Sequence, residues 1–438
     1  MDYLPNIFFA IALFVGIGFF VMNILKLIRN IKLGKDIDRS DRKIERWKNM
    51  ARIALGQSKM VSRPFAGFLH VIVYIGFVVI NIEVLEIVID GLFGTHRVFQ
   101  PLLGNTIYGF LIGTFEILAF LVLVAVILFW LRRNIVQLKR FMSKEMKGWP
   151  KSDGNLILYF EIVLMSLFIV MNATDHTFQE ANIGNPISQF VAPLFSGYSL
   201  ETLATIEHTT WWVHIIGILI FLNYLYYSKH LHILLAFPNT FFANLDPNGQ
   251  FNNLASVTSE VRMMMDPDAD PYAMPEEGPE DEVPEKFGAS DVTDLNWVQL
   301  LNAYTCTECG RCTSSCPANM TGKELSPRAI MMKTRDRLEE VGQNIDENGG
   351  VFKDDGKQLL NDYITPEELW ACTTCNACTD ACPIDLDPLS IIMDMRRYLV
   401  MEESSAPTEL NNMFSNVENN GAPWKFPAAD RLKWIEKN

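Results

Sequence analysis

Basic residues are in deficit in this 438-residue chain: 37 Lys and Arg stand against 51 Asp and Glu, for a net charge of −14 at pH 7. That balance excludes nucleic acid as a partner. No glycine-rich phosphate loop stands in a convincing context, and no Ser or Cys is set up as an activated nucleophile. No cysteine lies outside one repeated motif, and none of the seven histidines follows His232. Covalent catalysis therefore has no visible carrier, and what remains are residues that hold cofactors. The start Met1-Asp2-Tyr3 is not basic, and Lys and Arg come only after the first apolar run, so a cleaved signal peptide is not expected. Charge of any kind is scarce, at 20% against 49% hydrophobic residues, and the scarcity is concentrated in residues 1–240.

Five apolar runs in that first part are long enough to cross a bilayer, which takes roughly 20 residues. They lie at about 6–25, 66–89, 105–131, 155–173 and 208–228. Twelve Lys and Arg fall between Lys26 and Arg63 and seven between Arg132 and Lys151, whereas 91–104 hold only Arg97 and 173–207 hold none. This asymmetry predicts an N-terminus outside, with the basic loops and the C-terminal half in the cytoplasm. The expected location is thus the inner (cytoplasmic) membrane. The expected fold class is all-α: a five-helix transmembrane bundle over 1–240, an acidic linker over 241–295, a helical two-cluster ferredoxin domain over 296–404 and a tail over 405–438. The linker is rich in Pro, Asp and Glu, as in Asp266-Pro267-Asp268-Ala269-Asp270-Pro271, and lacks helical periodicity. Helical spacing returns in Leu300, Leu301, Tyr304 and in Ile391, Met395, Tyr398, Leu399.

All eight cysteines fall in two copies of one motif. Cys306, Cys309 and Cys312 are followed by Cys316-Pro317, and Cys372, Cys375 and Cys378 by Cys382-Pro383. This is the spacing that holds [4Fe–4S] clusters, with the fourth cysteine of each run ligating the other cluster. The first cluster is thus assigned to Cys306, Cys309, Cys312 and Cys382, the second to Cys372, Cys375, Cys378 and Cys316. Zinc sites need only paired Cys-x-x-Cys steps, and disulfides need an oxidising compartment, which the expected topology denies this half.

Ligand-capable residues inside spans are functional candidates. His214 and His232 are 18 residues apart, which on one continuous helix is five turns and roughly 27 Å along a single face. They would serve different haems. His70, near the cytoplasmic start of span two, matches His232 in depth and is its expected axial partner. For a second haem on His214, the expected partner is His176 at the outer end of span four. One or two haem b groups are therefore expected. Glu83 and Glu116, deep in the outer half of their spans, are candidates for a quinone site or proton path, and Glu86 for an interfacial carboxylate.

Three resemblances rest on these residues. With its two cysteine motifs, 297–400 resembles the helical two-cluster domain of heterodisulfide reductase C-type subunits and, more distantly, the iron–sulfur subunit of succinate dehydrogenase. With His70, Trp211-Trp212-Val213-His214 and Lys229-His230-Leu231-His232, residues 60–238 resemble the cytochrome b subunit of respiratory nitrate reductase. That family holds two b haems between spans two and five, but Ile80 stands here where the distal ligand of span two belongs. The stretch Asn411 to Trp424, with Arg431 and Trp434, resembles the segment that precedes cysteine-rich CCG domains in fused heterodisulfide-reductase-like proteins. The family implied is that of membrane-bound iron–sulfur oxidoreductases, with relatives among electron-transfer-flavoprotein:menaquinone oxidoreductases and sulfite-reductase membrane subunits. The resemblance implies a membrane-anchoring electron-transfer subunit of a quinone-linked complex. Its expected partners are menaquinone, a separate CCG-type cytosolic subunit docked on the tail, and electron-transfer flavoprotein. The alternatives are a thiol/disulfide-linked complex and a redox sensor or scaffold.

Overall fold

The computed structural model describes residues 3–266 and 286–435, so most of the acidic linker, including Pro267 to Pro271 and Glu276 to Glu282, lies outside the described residues. Among the described residues there is no β-strand, only isolated bridges joining Lys35 to Asn296 and Leu360 to Ile364. Five helices among the described residues are long and apolar enough to cross a membrane. They are α1 (Leu4–Ile31), α2 (Pro64–Phe93), α3 (Phe99–Asn134), α4 (Trp149–Thr174) and α5 (Leu200–Tyr224). The expected all-α architecture, with the iron–sulfur domain at the C-terminal end, is the one found.

The helices close a ring. α2 packs on α3, α3 on α4 and α4 on α5, while α1 fills the gap between α5 and α2. The α1–α2 crossing is close because Gly91 has no side chain: a Cβ there would lie 2.6 Å from the Phe9 ring. Inside the ring Tyr108, Ile112, Phe115, Ala119 and Phe168 form a buried cluster. α3 is kinked at Gly104, whose φ of 74° and ψ of 157° suit only glycine.

The fifth helix departs from expectation. The run 208–228 suggests one rod carrying both His214 and His232, but α5 stops at Tyr224 and Ser228 is extended, with φ −117° and ψ 145°. A new helix, α6 (His232–Phe241), starts after the break. The cause is Asp153 near the start of α4. It accepts hydrogen bonds from Tyr224 Oη at 2.5 Å, Ser228 Oγ at 2.6 Å and Lys229 N at 3.2 Å. A buried carboxylate needs such donors, and the chain leaves the helix to supply them. His214 and His232 therefore do not share one helical face, because apolar periodicity carries no signal for a polar contact between two helices.

Beyond the bundle, α7 (Trp297–Thr305), α8 (Pro327–Glu347) and α9 (Pro388–Met401) surround the cysteine loops. Asn296 with Gln299 forms a capping box on α7, and Asp387 caps α9. Leu300, Ile330, Leu338, Ile391 and Met395 make the core. Leu301, Tyr304 and Leu399 are buried and Tyr398 half-buried, as the helical spacing predicts. The linker is not uniformly irregular. Ala255–Met265 is helical, and Ala289, Val292 and Leu295 are buried in the core of the cysteine domain.

This domain sits on one end of the bundle, the end bearing the basic loops. Asn30 donates to Tyr304 Oη at 3.0 Å and Trp297 to the Ile37 carbonyl at 3.1 Å. Arg328 pairs with Glu145 at 2.7 Å, and Asn239 donates to the Ile384 carbonyl at 2.7 Å.

Candidate functional site

The two cysteine loops repeat each other residue by residue. Glu308 and Gly310 in the first have positive φ (53° and 71°), as do Thr374 and Asn376 in the second (56° and 58°). These left-handed residues flank Cys309 and Cys375. A short helix follows each loop, Arg311–Ser315 and Ala377–Ala381, and the two helices pack together. Each ends at an extended cysteine, Cys316 or Cys382, before a proline that opens the next turn.

The packing crosses the motifs. One cavity is lined by Cys306, Cys309, Cys312 and Cys382, and also by Cys378. The other is lined by Cys316, Cys372, Cys375 and Cys378. Among the described residues no three His, Cys, Asp or Glu groups converge tightly enough for a single metal ion. Burial pushes the Cys306 and Cys378 thiols up to about 12 and raises Cys312 and Cys382 as well. Thiolates here need positive charge supplied from within the cavity, which suits an iron-bearing group larger than one ion.

At the end of the bundle nearest these cavities, the break after α5 turns His232 toward α2. The His70 and His232 ring centroids are 6.5 Å apart, with an interplanar angle of 37°. An iron held between two imidazoles at about 2 Å per bond keeps the centroids roughly 6 Å apart. His232 Nδ1 meets the Lys229 carbonyl at 2.9 Å, and His70 Nδ1 is buried without a partner. His230, absent from the expected ligands, is 5.5 Å from the His232 ring. Burial pushes His230 down to about 3 and lowers His232, so both stay neutral and able to act as donors. The only sequence signal for His230 is its place in Lys229-His230-Leu231-His232.

His214 is buried in the bundle, 6.2 Å from the Phe168 ring, and its Nδ1 has no hydrogen-bond partner. His176 stands on the short helix His176–Ala181, its side chain 43% exposed and 3.5 Å from Glu180. At the position on α2 where the resembled family carries its distal ligand, Ile80 is buried in the apolar cluster.

At the opposite end of the bundle lies a buried polar network. Arg97 donates to Asp175 at 2.9 Å and Asn172 at 3.0 Å, and Tyr108 donates to Glu86 at 3.1 Å. Glu116 accepts from Asn172 at 3.0 Å and from the Ile187 and Ser188 amides at 2.9 and 3.0 Å. Glu83 is also buried, one turn from Glu86, and its Oε2 has no partner. Glu116 is thus fully engaged, while Glu83 keeps a free acceptor. Glu86 is buried and takes the Phe99 amide at 2.8 Å. Arg97, Tyr108, Asn172 and Asp175 were not expected here. The lone Arg97 of a loop otherwise free of Lys and Arg was the available clue.

A family model described as a 4Fe-4S dicluster domain matches residues 305–386, which contain all eight cysteines. Over 98% of its length the chain is 28% identical to the probable iron-sulfur-binding oxidoreductase FadF of Bacillus subtilis, covering 60% of that protein. It is 24% identical, again over 98% of its length, to the EtfAB:quinone oxidoreductase of Syntrophomonas wolfei, covering 59% of it. Over 24% of its length it is 30% identical to the C-type subunit of the ferredoxin/F(420)H(2)-dependent CoB-CoM heterodisulfide reductase of Methanosarcina acetivorans, covering 52% of that protein. The chain thus spans about 60% of the length of the first two relatives. No solved structure matches. Residues 305–386 are a 4Fe–4S dicluster domain, and both relatives matched over nearly the whole chain are named as oxidoreductases.

Proposed function

We propose that this chain is the membrane-anchored electron-transfer part of a quinone-linked oxidoreductase, passing electrons between a cytosolic partner and menaquinone. The observation that carries the reading is the placement of two crossed cysteine cavities at the same end of the bundle as the His70–His232 pair. In this reading Cys306, Cys309, Cys312 and Cys382 hold one [4Fe–4S] cluster, and Cys372, Cys375, Cys378 and Cys316 the other. His70 and His232 hold a haem b, and His214, with His176 as the expected partner, is the candidate for a second. When bound, such groups each take up and release one electron. The protein supplies the spacing, keeps the imidazoles neutral and shields the thiolates from water. Glu83 exchanges a proton with the quinone through its free Oε2, while Glu116 braces the outer turn at Ile187 and Ser188. The basic end faces the cytoplasm of the inner membrane. Cysteine-domain surface and tail would receive electron-transfer flavoprotein or a CCG-type protein, and the name of the Syntrophomonas wolfei relative supports the former.

A second reading, a thiol/disulfide-linked complex, is favoured by the heterodisulfide reductase match alone. Purification of the membrane protein followed by iron, zinc and haem assays tests the main reading. About eight non-haem iron and one or two b haems per chain are expected, with reduction by menaquinol and exchange with reduced flavoprotein. Zinc in place of iron, absence of haem, or no reaction with quinol would overturn it.

A further inference from the structure

The first cysteine loop and the His232 segment meet at a buried ion node. Glu308 lies between Cys306 and Cys309, in the left-handed region at φ 53°, and is buried. A glutamate adopts that conformation at a cost, so the fold must hold it there. Its carboxylate accepts from Lys229 Nζ and from Arg335 Nη1, the latter at 2.9 Å. Lys229 Nζ also donates to the Pro150 carbonyl at 2.7 Å and lies 3.6 Å from Asp153. The Lys229 carbonyl in turn meets His232 Nδ1 at 2.9 Å. A continuous path therefore runs from the Cys306–Cys309 loop through Glu308 and Lys229 to the imidazole.

The same loop region is tied to the other histidine's helix. Arg311 donates to the Lys59 carbonyl at 2.8 Å and the Met60 carbonyl at 3.0 Å, just before α2 begins at Pro64. The Cys372–Cys375 stretch of the second loop is held instead by Arg396 of α9, which donates to the Cys372 carbonyl at 2.5 Å, and its Cys375 is exposed. The Lys229 and Glu308 side chains are 9% and 3% exposed, so their charges act on their neighbours with little screening from water.

Building on the function proposed above, we infer that Lys229 and Glu308 are positioning residues. They fix the His232 imidazole against the Cys306–Cys309 loop and balance charge between the two sites. The cluster held by Cys306, Cys309, Cys312 and Cys382 is then the one that exchanges electrons with the histidine pair, and the exposed second cluster faces the soluble partner.

The test uses the full-length membrane protein with Glu308→Gln, Lys229→Met and Lys229→Arg, read by redox titration of the haem α-band and of the cluster EPR signals. The second cluster is identified by the signal lost in Cys316→Ser. Lys229→Met removes a positive charge and should lower the potentials of the haem and the first cluster. Glu308→Gln removes a negative charge and should raise them. The second cluster should not move, and Lys229→Arg should restore wild-type values. Unchanged potentials, shifts of the same sign in both variants, or equal shifts of both clusters overturn the inference. If Lys229→Met does not accumulate, the near-isosteric Glu308→Gln still carries the test through the sign of its shift and the stillness of the second cluster. Haem content of the wild type separates the two levels: its absence overturns the proposed function and this inference together, whereas haem present with unmoved potentials overturns the inference alone.

Discussion

The two halves of this chain bury opposite things. In the membrane half Phe14 and Phe110 are each 80% exposed, while Glu116, Asn172 and Ser188 are fully buried. In the dicluster half Leu300, Ile391 and Met395 are fully buried, and Asp354, Lys353 and Gly356 lie outside. One chain thus obeys two solvents. An apolar exterior is stable only in lipid, where every buried polar group must find a partner inside the bundle. That requirement makes Glu83, with its unpartnered Oε2, stand out against the fully engaged Glu116. In the dicluster half the comparable oddity is a fully buried cation, Arg337, and it is matched by two carboxylates, Asp291 at 2.8 Å and Asp355 at 2.5 Å.

The sharpest way to break the comparison is to disable one half and watch the other. Cys316→Ser should abolish the EPR signal of the cluster held mainly by Cys372, Cys375 and Cys378, leaving the sequence-adjacent first cluster and the haem spectrum in place. Loss of the first cluster instead would refute the crossed assignment. In the other direction, His70→Ala should remove the α-band of the haem shared with His232 and leave both cluster signals intact. His214→Ala, measured separately, should cost a second haem only if one is present. A smaller effect is expected from Arg337→Ala. It strands Asp291 and Asp355 without their shared cation, a loss of about 3–5 kcal/mol for a buried pair. Denaturant-induced bleaching of the clusters should come at lower urea, with haem absorbance unmoved. Glu83→Gln removes the free carboxylate at the other end of the bundle and should slow menaquinol oxidation by about 10²-fold, the scale of one general base. Unaltered turnover would leave Glu83 a passive member of the network.

The legibility of these features divides along the same line. The cysteine loops were legible because the repeated spacing sets a repeated backbone, with the same left-handed positions and short helices in both copies. The five spans could be read because lipid demands long apolar runs, although four of the helices extend past the runs at both ends and α5 extends only at its start, stopping at Tyr224. That the His70 and His232 rings lie close together followed from depth alone. The break at Ser228 did not, because it is made by Asp153, 75 residues earlier in sequence. The same limit hid Arg97, Tyr108 and Asn172: their roles come from contacts between helices that no local periodicity records. Glu308 was hidden inside the motif that was easiest to read, since the cysteine pattern says nothing of the residues between its ligands.

The mildest perturbation of either half's cofactors is expected at the tail, where the comparison between halves turns into a question of partners. The helix α10 (Thr408–Asn420) exposes Phe414 and Val417, and beyond it Trp424 and Trp434 remain 53% and 71% exposed. The segment is nevertheless folded on itself. Asn416 donates to the Pro423 carbonyl at 3.0 Å and Arg431 to the Asn420 carbonyl at 2.8 Å. Tryptophans that served only to pack against the chain's own helices would be buried, as large aromatic rings seldom stay open to water without a use. Exposed aromatics on an ordered scaffold are instead the usual anchors of an interface. Deleting residues 411–438 should therefore leave the cluster signals and the haem α-band at wild-type intensity, since no cysteine or histidine lies there. It should weaken co-purification of the soluble partner and slow electron delivery to quinone. Trp434→Ala alone should weaken partner binding by about 1–2 kcal/mol, a factor of roughly 5–30 in affinity, measurable by titration of detergent-solubilised protein. If the truncated protein binds its partner as tightly as the full chain, the docking surface lies on the dicluster domain, and the exposed second cavity at Cys375 becomes the place to look for it.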